Sequence, residues 1–216
     1  MSNVVFFDGV GAVLNIGDAA SLRFGVDNFT LCLRVKIQPT LKLCELFSKS
    51  PYGGNSGFGL DVSPPNLRFI IRYVGSAAIF APLFYPADGR WHHIAAVRSG
   101  NNAILYLDGL SQTSVGIFVH GEDASAVGSN LYSGVNWAAN SFNYKSEMQA
   151  YNRALTADEI KYNYEHPGNP IKRGIQLNLT QESIQGAQWL DLSGNANHGT
   201  YVGGAVPRRA NLVTQR

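Results

Sequence analysis

What the sequence is short of narrows its reading first. The 216 residues include only two cysteines and two methionines, and charged residues make up 15%. Two cysteines are too few, and too far apart, for a metal knuckle. Cys32 and Cys44 are expected to be buried thiols, with a disulfide between neighbouring strands as the alternative; a chain of this size needs no staple. No Lys/Arg block marks a nucleic-acid face. The formal net charge is +2, and the one basic concentration is Pro207-Arg208-Arg209, so neither DNA nor RNA is expected as a partner. No stretch approaches the ~20 apolar residues of a membrane span. The N-terminus lacks a basic flank followed by an apolar run, so no secretory address is read. The expectation is therefore that it acts in the cytoplasm where it is made, or leaves by lysis or as part of a particle.

What is present points to strands. Hydrophobic residues reach 45%, aromatics 11%, and there are 23 glycines, a mixture suited to many short strands joined by glycine turns. Phe29, Leu31, Leu33, Val35 and Ile37 alternate with Thr30, Cys32, Arg34 and Lys36; this period of two predicts a strand with one face on a core. Further strands are expected over 4–7, 12–16, 44–47, 58–62, 67–74, 77–80, 91–97, 103–107, 112–115, 144–151 and 174–179. Residues 118–142 carry little pattern and read as loop, with a short strand near Ala126-Val127-Gly128. One helix is expected over about 156–166. Thr156-Ala157-Asp158-Glu159 has the form of a capping box, and Pro167-Gly168 stops the helix. At about ten residues it is too short to persist undocked. No linker divides the chain, so 1–216 is read as a single sandwich, with a main body over 1–170 and a C-terminal strand and extended tail over 171–216.

Asp88-Gly89-Arg90-Trp91-His92-His93-Ile94-Ala95-Ala96-Val97, followed by Ala103-Ile104-Leu105-Tyr106-Leu107-Asp108-Gly109, resembles the central hairpin of laminin-G-like and pentraxin-like domains in the concanavalin A-like superfamily. Asn152-Arg153-Ala154-Leu155-Thr156-Ala157-Asp158-Glu159-Ile160 resembles the closing strand-to-helix segment of that group, and Phe6-Phe7-Asp8-Gly9 its opening strand. The resemblance implies an all-β, antiparallel jelly-roll sandwich of two sheets with one short helix in the C-terminal half. Trp189 to Thr200, containing Asp191-Leu192-Ser193-Gly194-Asn195-Ala196-Asn197-His198-Gly199-Thr200, resembles an element that in relatives precedes the opening strand; here it follows the helix. Either the C-terminus closes the same sandwich, the reading favoured on chain entropy, or it reaches a neighbouring subunit.

Calcium at the sandwich edge is what the resemblance allows, with Asp8, Asp88, Asp108 and Asp191 as weak candidates; no other cofactor is expected. Calcium needs six to eight oxygens, and an Asp at a turn more often accepts its own backbone N–H groups. His92 and His93 are neighbours on a strand and must face opposite ways, which speaks against a shared metal. Trp91 reads as a packing residue. Glycan recognition would use aromatic platforms beside amides, and the loop-like stretches offer Tyr52 with Asn55, and Tyr132 with Asn136 and Trp137.

An enzyme is not expected. Retaining glycosidases need paired carboxylates about 5 Å apart, yet no E-x-D-x-x-E strand occurs and Glu45 stands isolated in its strand; a nucleophile-elbow motif is also missing. The expected function is a structural or interaction module, by analogy a virion-associated capsid decoration or tail attachment. Its partners would be other protein chains: a homo-oligomer, or capsid and tail proteins. The alternative is a lectin for cell-surface glycans.

Overall fold

The computed structural model describes residues 2–8, 11–39, 44–49, 56–73, 76–84, 88–117, 122–133 and 143–210. From the N-terminus the strands are β1 (Ser2–Phe7), β2 (Val13–Gly17), β3 (Phe29–Ile37), β4 (Cys44–Lys49), β5 (Phe58–Ser63), β6 (Asn66–Tyr73), β7 (Ser76–Phe84), β8 (Trp91–Ser99), β9 (Asn102–Leu107), β10 (Leu110–Ile117), β11 (Leu131–Ser133) and β12 (Asn143–Tyr151). The helix α1 (Ala157–Glu165) follows, then β13 (Ile175–Leu179), β14 (Ile184–Gln185), β15 (Gln188–Trp189), β16 (Gly199–Val202) and β17 (Val206–Ala210). All pairings among these strands are antiparallel, and they form two sheets. One runs β10-β9-β8-β3-β12-β1-β17, with β13 also on β12; the other runs β14-β15-β16-β2-β11-β4-β5-β6-β7. The result is an antiparallel jelly-roll sandwich.

The core lies where the two inner faces meet. Phe29, Leu31, Leu33, Val35 and Ile37 of β3 are all buried there with Phe47, Phe58, Phe69 and Trp189, as the alternation in β3 requires. The opposite face of β3 is buried too. Cys32 and Thr30 are fully covered and Arg34 is 2% exposed, because α1 docks on that side with Ile160 and Leu155 against Cys32, Val97, Tyr106 and Tyr151. Cys32 is a free thiol in this layer, and burial pushes it up to about 12. Cys44 begins β4 in the other sheet, and its side chain lies outside the described residues.

The Thr156 hydroxyl accepts from the Glu159 N–H while the Glu159 carboxylate accepts from the Thr156 N–H, so both halves of the capping box form. Arg153 grips the same Glu159 through two bonds of 2.7 Å. Beneath the far end of α1, Arg34 donates to the Tyr164 carbonyl at 2.6 Å and lies 3.8 Å from Glu147. The C-terminal strands join both sheets: β17 pairs with β1 and β16 with β2.

One expectation fails in detail. Ala126 and Gly128 have φ of 42° and 82°, which a strand ladder cannot accommodate, so residues 126–128 form a turn. The short strand of this region is β11.

Candidate functional site

One end of the sandwich is built from three segments remote in sequence. The loop between β2 and β3 contains the turn Ala20–Leu22. It is tied to residues 122–130 by the Phe24 and Ala124 N–H groups, which donate to Ala124 and Gly25 carbonyls respectively. Asp18 fastens the base. Its carboxylate accepts from Arg23 at 2.7 Å, from buried Lys49 at 2.5 Å and from the Gly128 N–H at 2.8 Å. The Arg23 hydrogen bond, then that of Lys49, holds the Asp18 carboxyl far below the usual range. The third segment, 191–198, is organised by Asp191. It accepts from the Asn178, Ser193 and Asn197 N–H groups and from the Ser193 hydroxyl at 2.7–2.9 Å. Asn197 then donates to the Ser21 hydroxyl and the Gln176 carbonyl.

These ties leave a cleft of about 290 Å³ lined by Ala20, Ser21, Arg23, Phe24, Asp27, Asn28, Asn152 and Gln176. Strand ends supply the polar lining: Asn28 leads into β3, Asn152 follows β12, and Gln176 sits on β13. The Asn28 carbonyl oxygen is spent on the Gly100 N–H, which leaves its NH2 group. Gln176 donates only a long bond to the Gly174 carbonyl, at 3.4 Å, which leaves its carbonyl oxygen. The side chains of Asp27 and Asn152 make no hydrogen bond to described residues. Donors and acceptors are therefore mixed around one concavity, at the small end of ligand-pocket volumes (~300–1,000 Å³). Val26, Val127 and Leu192, in these same loops, are 63%, 68% and 55% exposed.

None of these cleft residues was singled out from the sequence. Single polar residues at strand ends form no motif, and only the closed topology brings them together. Of the aromatic and amide residues that were singled out, Tyr52, Asn55, Asn136 and Trp137 lie outside the described residues. Tyr132 sits half-buried in β11, with its hydroxyl accepting from Asn130 at 3.1 Å; it does not line the cleft.

The aspartates considered for calcium are engaged locally. Asp8 accepts from the Ala12 N–H at 3.2 Å. Asp88 and Asp108 converge on His92, at 3.2 Å from Nε2 and 2.8 Å from Nδ1. Asp108 also accepts from the His93 N–H, and Asp88 from the Arg90 N–H. Burial pulls His92 down, but the two carboxylates outweigh it and the net direction is up. Among the described residues no group of three or more His, Cys, Asp or Glu side chains is arranged to hold a metal. His93 faces the other way, buried below α1 beside Tyr164. Burial, then the Arg34 charge, pushes it down to about 3.

Glu45 is not isolated in space. It pairs across strands with Asp61, which in turn pairs with Arg68. Arg68 holds Asp61 through two bonds of 2.7 Å, while burial and then the Asp61 charge push Glu45 up to about 7. A raised acid beside an ionised one is the pattern of a glycosidase pair. Yet the cavity between Glu45, Gly59, Ile70 and Arg72 is about 30 Å³, room for a water rather than a sugar.

Curated proteins give no significant sequence match to the chain. Among solved structures, a proposed carbohydrate-binding protein of Bacteroides ovatus aligns over 96% of this chain and 60% of its own, with 17% identity and a TM-score of 0.66. The binding domain of botulinum neurotoxin DC, solved with rat synaptotagmin II, aligns over 76% and 42%, with 12% identity and a TM-score of 0.61. The binding domain of Paraclostridial Mosquitocidal Protein 1 aligns over 70% and 42%, with 18% identity and a TM-score of 0.56. This chain thus spans less than two thirds of each of these structures, and at such identities the likeness is one of fold. The sequence profile of the Laminin_G_3 family matches residues 8–161, more than two thirds of the chain, and the protein belongs to that family of the concanavalin A-like lectin/glucanase superfamily.

Proposed function

We propose that this chain is a non-catalytic, lectin-like binding module that holds a short glycan in the cleft at the rim of the sandwich. One observation carries the reading: Ser21, Arg23, Asp27, Asn28, Asn152 and Gln176 converge on a single concavity with hydrogen-bonding capacity left over. A sugar hydroxyl both donates and accepts, so a mixed lining of amides, a hydroxyl and a carboxylate matches it better than a lining of one type. The volume limits the occupant to about one or two sugar rings. Catalysis is not part of the proposal, because the described residues lining the cleft include a single carboxylate and the Glu45–Asp61 pair has room only for a water.

The test is a glycan array followed by titration calorimetry of the best ligand, on the wild type and on Asn152→Ala/Gln176→Ala. Loss of two or three hydrogen bonds at about 1 kcal/mol each should weaken binding at least about tenfold. Undiminished affinity in the double variant would remove the cleft from consideration. Because Asp88, Asp108 and Asp191 spend their carboxylates on their own turns and on His92, binding should be unchanged by EDTA. A chelator-sensitive affinity would restore calcium to the site.

A protein partner is the second reading, and the three exposed side chains Val26, Val127 and Leu192 around the same end favour it. Assembly with capsid or tail proteins is one form this would take. Light scattering during chromatography separates the two readings: a monomer that binds sugar supports the first, a stable oligomer without sugar response the second.

A further inference from the structure

The outer face of the β10–β17 sheet is sealed by α1 over only part of its area. Cys32, Ala95, Val97, Tyr106 and Tyr151 lie under the helix. Beyond it, the strand registers place one residue from each of five adjacent strands in line: Val206 opposite Phe6, Phe6 opposite Tyr144, Tyr144 opposite Lys36, and Lys36 opposite Trp91. Directly paired residues share a face. The face is the outer one, since the flanking Val5, Phe7, Val35 and Ile37 belong to the core. Phe6, Tyr144, Lys36 and Trp91 are partly exposed and Val206 is 40% exposed. Trp91 thus lies on the outer face of the sheet.

The row has its own chemistry. Phe6 and Tyr144 lie 5.0 Å apart, tilted by 42°. The Arg208 guanidinium covers the Phe6 ring at 4.2 Å, and Lys36 stands between Tyr144 and Trp91. Arg90, next to Trp91, has 67% of its side chain exposed but lies 3.8 Å from the Asp88 carboxylate. Four interstrand spacings give the row a length of about 19 Å, with Tyr144 and Trp91 about 10 Å apart. Nothing in this row is acidic.

From this alignment we propose a second binding site, for the interior of an acidic polysaccharide chain. Tyr144 and Trp91 offer flat apolar surfaces on which sugar rings stack. Lys36 and Arg208 pair with the carboxylate or sulfate groups of the same chain. The row crosses five strands with every member at least partly exposed, which suits a polymer's interior, whereas the rim cleft suits a short segment. The two sites share no residue, so this proposal stands or falls apart from the rim reading.

The test is affinity electrophoresis of the full chain, with EDTA, in gels containing polygalacturonate or neutral hydroxyethylcellulose. Polygalacturonate should retard the wild type and hydroxyethylcellulose should not. Trp91→Ala/Tyr144→Ala keeps the net charge and should lose at least about tenfold in affinity, while Trp91→Phe should retain most of it. Lys36→Gln/Arg208→Gln should remove the retardation, and Asn152→Ala/Gln176→Ala should leave it intact. No retardation, or equal retardation of the Trp91/Tyr144 variant, overturns the proposal, since charge alone would then account for any attraction. Equal retardation by the neutral polymer, or loss in the Asn152/Gln176 variant, overturns it as well. Should the aromatic variant fail to fold by circular dichroism, wild-type tryptophan fluorescence titrated with polygalacturonate decides: a saturable change supports the site, and none rejects it.

Discussion

Two titratable residues, one buried and one half-buried, give the fold opposite responses to pH. His93 has both ring nitrogens buried without a hydrogen-bond partner among the described residues, and it resists protonation until about pH 3. An unfolded histidine accepts a proton near 6.5. Protonation of His93 therefore takes no stability from the fold at pH 7 and erodes it as pH falls from about 6.5 towards 3. Urea melts at pH 7.5 and 4.5 should show a smaller acid loss in His93→Phe than in the wild type; an equal loss would assign it to other groups. Glu45 acts in reverse. Its folded pKa is raised to about 7, so the unfolded chain releases its proton first and stability falls as pH rises from about 4.5 to 7. Glu45→Gln should melt higher than the wild type at pH 8 and close to it at pH 4. A variant that melts lower at pH 8 would mean that the Glu45 charge is compensated in the fold.

At the scale of elements, α1 shows how a short helix is retained. Nine residues are marginal alone, and three devices hold this helix: the capping box, the Arg153–Glu159 fork and the apolar seat over Cys32 and Tyr151. Thr30 links the seat to the chain before the helix, donating to the Arg153 carbonyl and accepting from the Leu155 N–H, both at 2.9 Å. Thr156→Ala should cost about 1 kcal/mol, read as a lower denaturant midpoint at unchanged slope. A loss near zero would mean that docking alone holds the helix. This element was legible in advance because capping is local: Thr156, Glu159 and Pro167-Gly168 declare it within a dozen residues. The turn at 126–128 was misread as strand because its positive φ values answer to Asp18 and Lys49, which are distant in sequence.

For the whole molecule, the chain from β13 onward is structural. β13 extends one sheet beside β12, Trp189 enters the core, and β16 and β17 pair with β2 and β1. Between β16 and β17 the chain passes so close to the first turn that a Cβ at Gly203 would collide with the Gly11 carbonyl and one at Gly204 with the Asp8 carboxylate. Gly203 also has φ of 67°, where an L side chain is strained. Gly203→Ala should destabilise the chain by about 2 kcal/mol or more, and ending it after residue 172 should prevent cooperative folding. Thermal melts by circular dichroism read both. A truncated chain that melts like the wild type would show that residues 1–172 fold alone.

The sequence by itself determined most of the strands up to β13, the helix and the two-layer class, because alternation, turn chemistry and caps are written in neighbouring residues. It also carried the family, through the Asp88–Gly109 hairpin and the Asn152–Ile160 segment. Only the tertiary structure decided where ligands could sit. The cleft joins residues 21, 27, 152 and 176, and the outer row joins 6, 144, 36, 91 and 206. Each gathering depends on which strands lie side by side, and antiparallel neighbours in this sandwich are set by long-range pairing that no local pattern encodes.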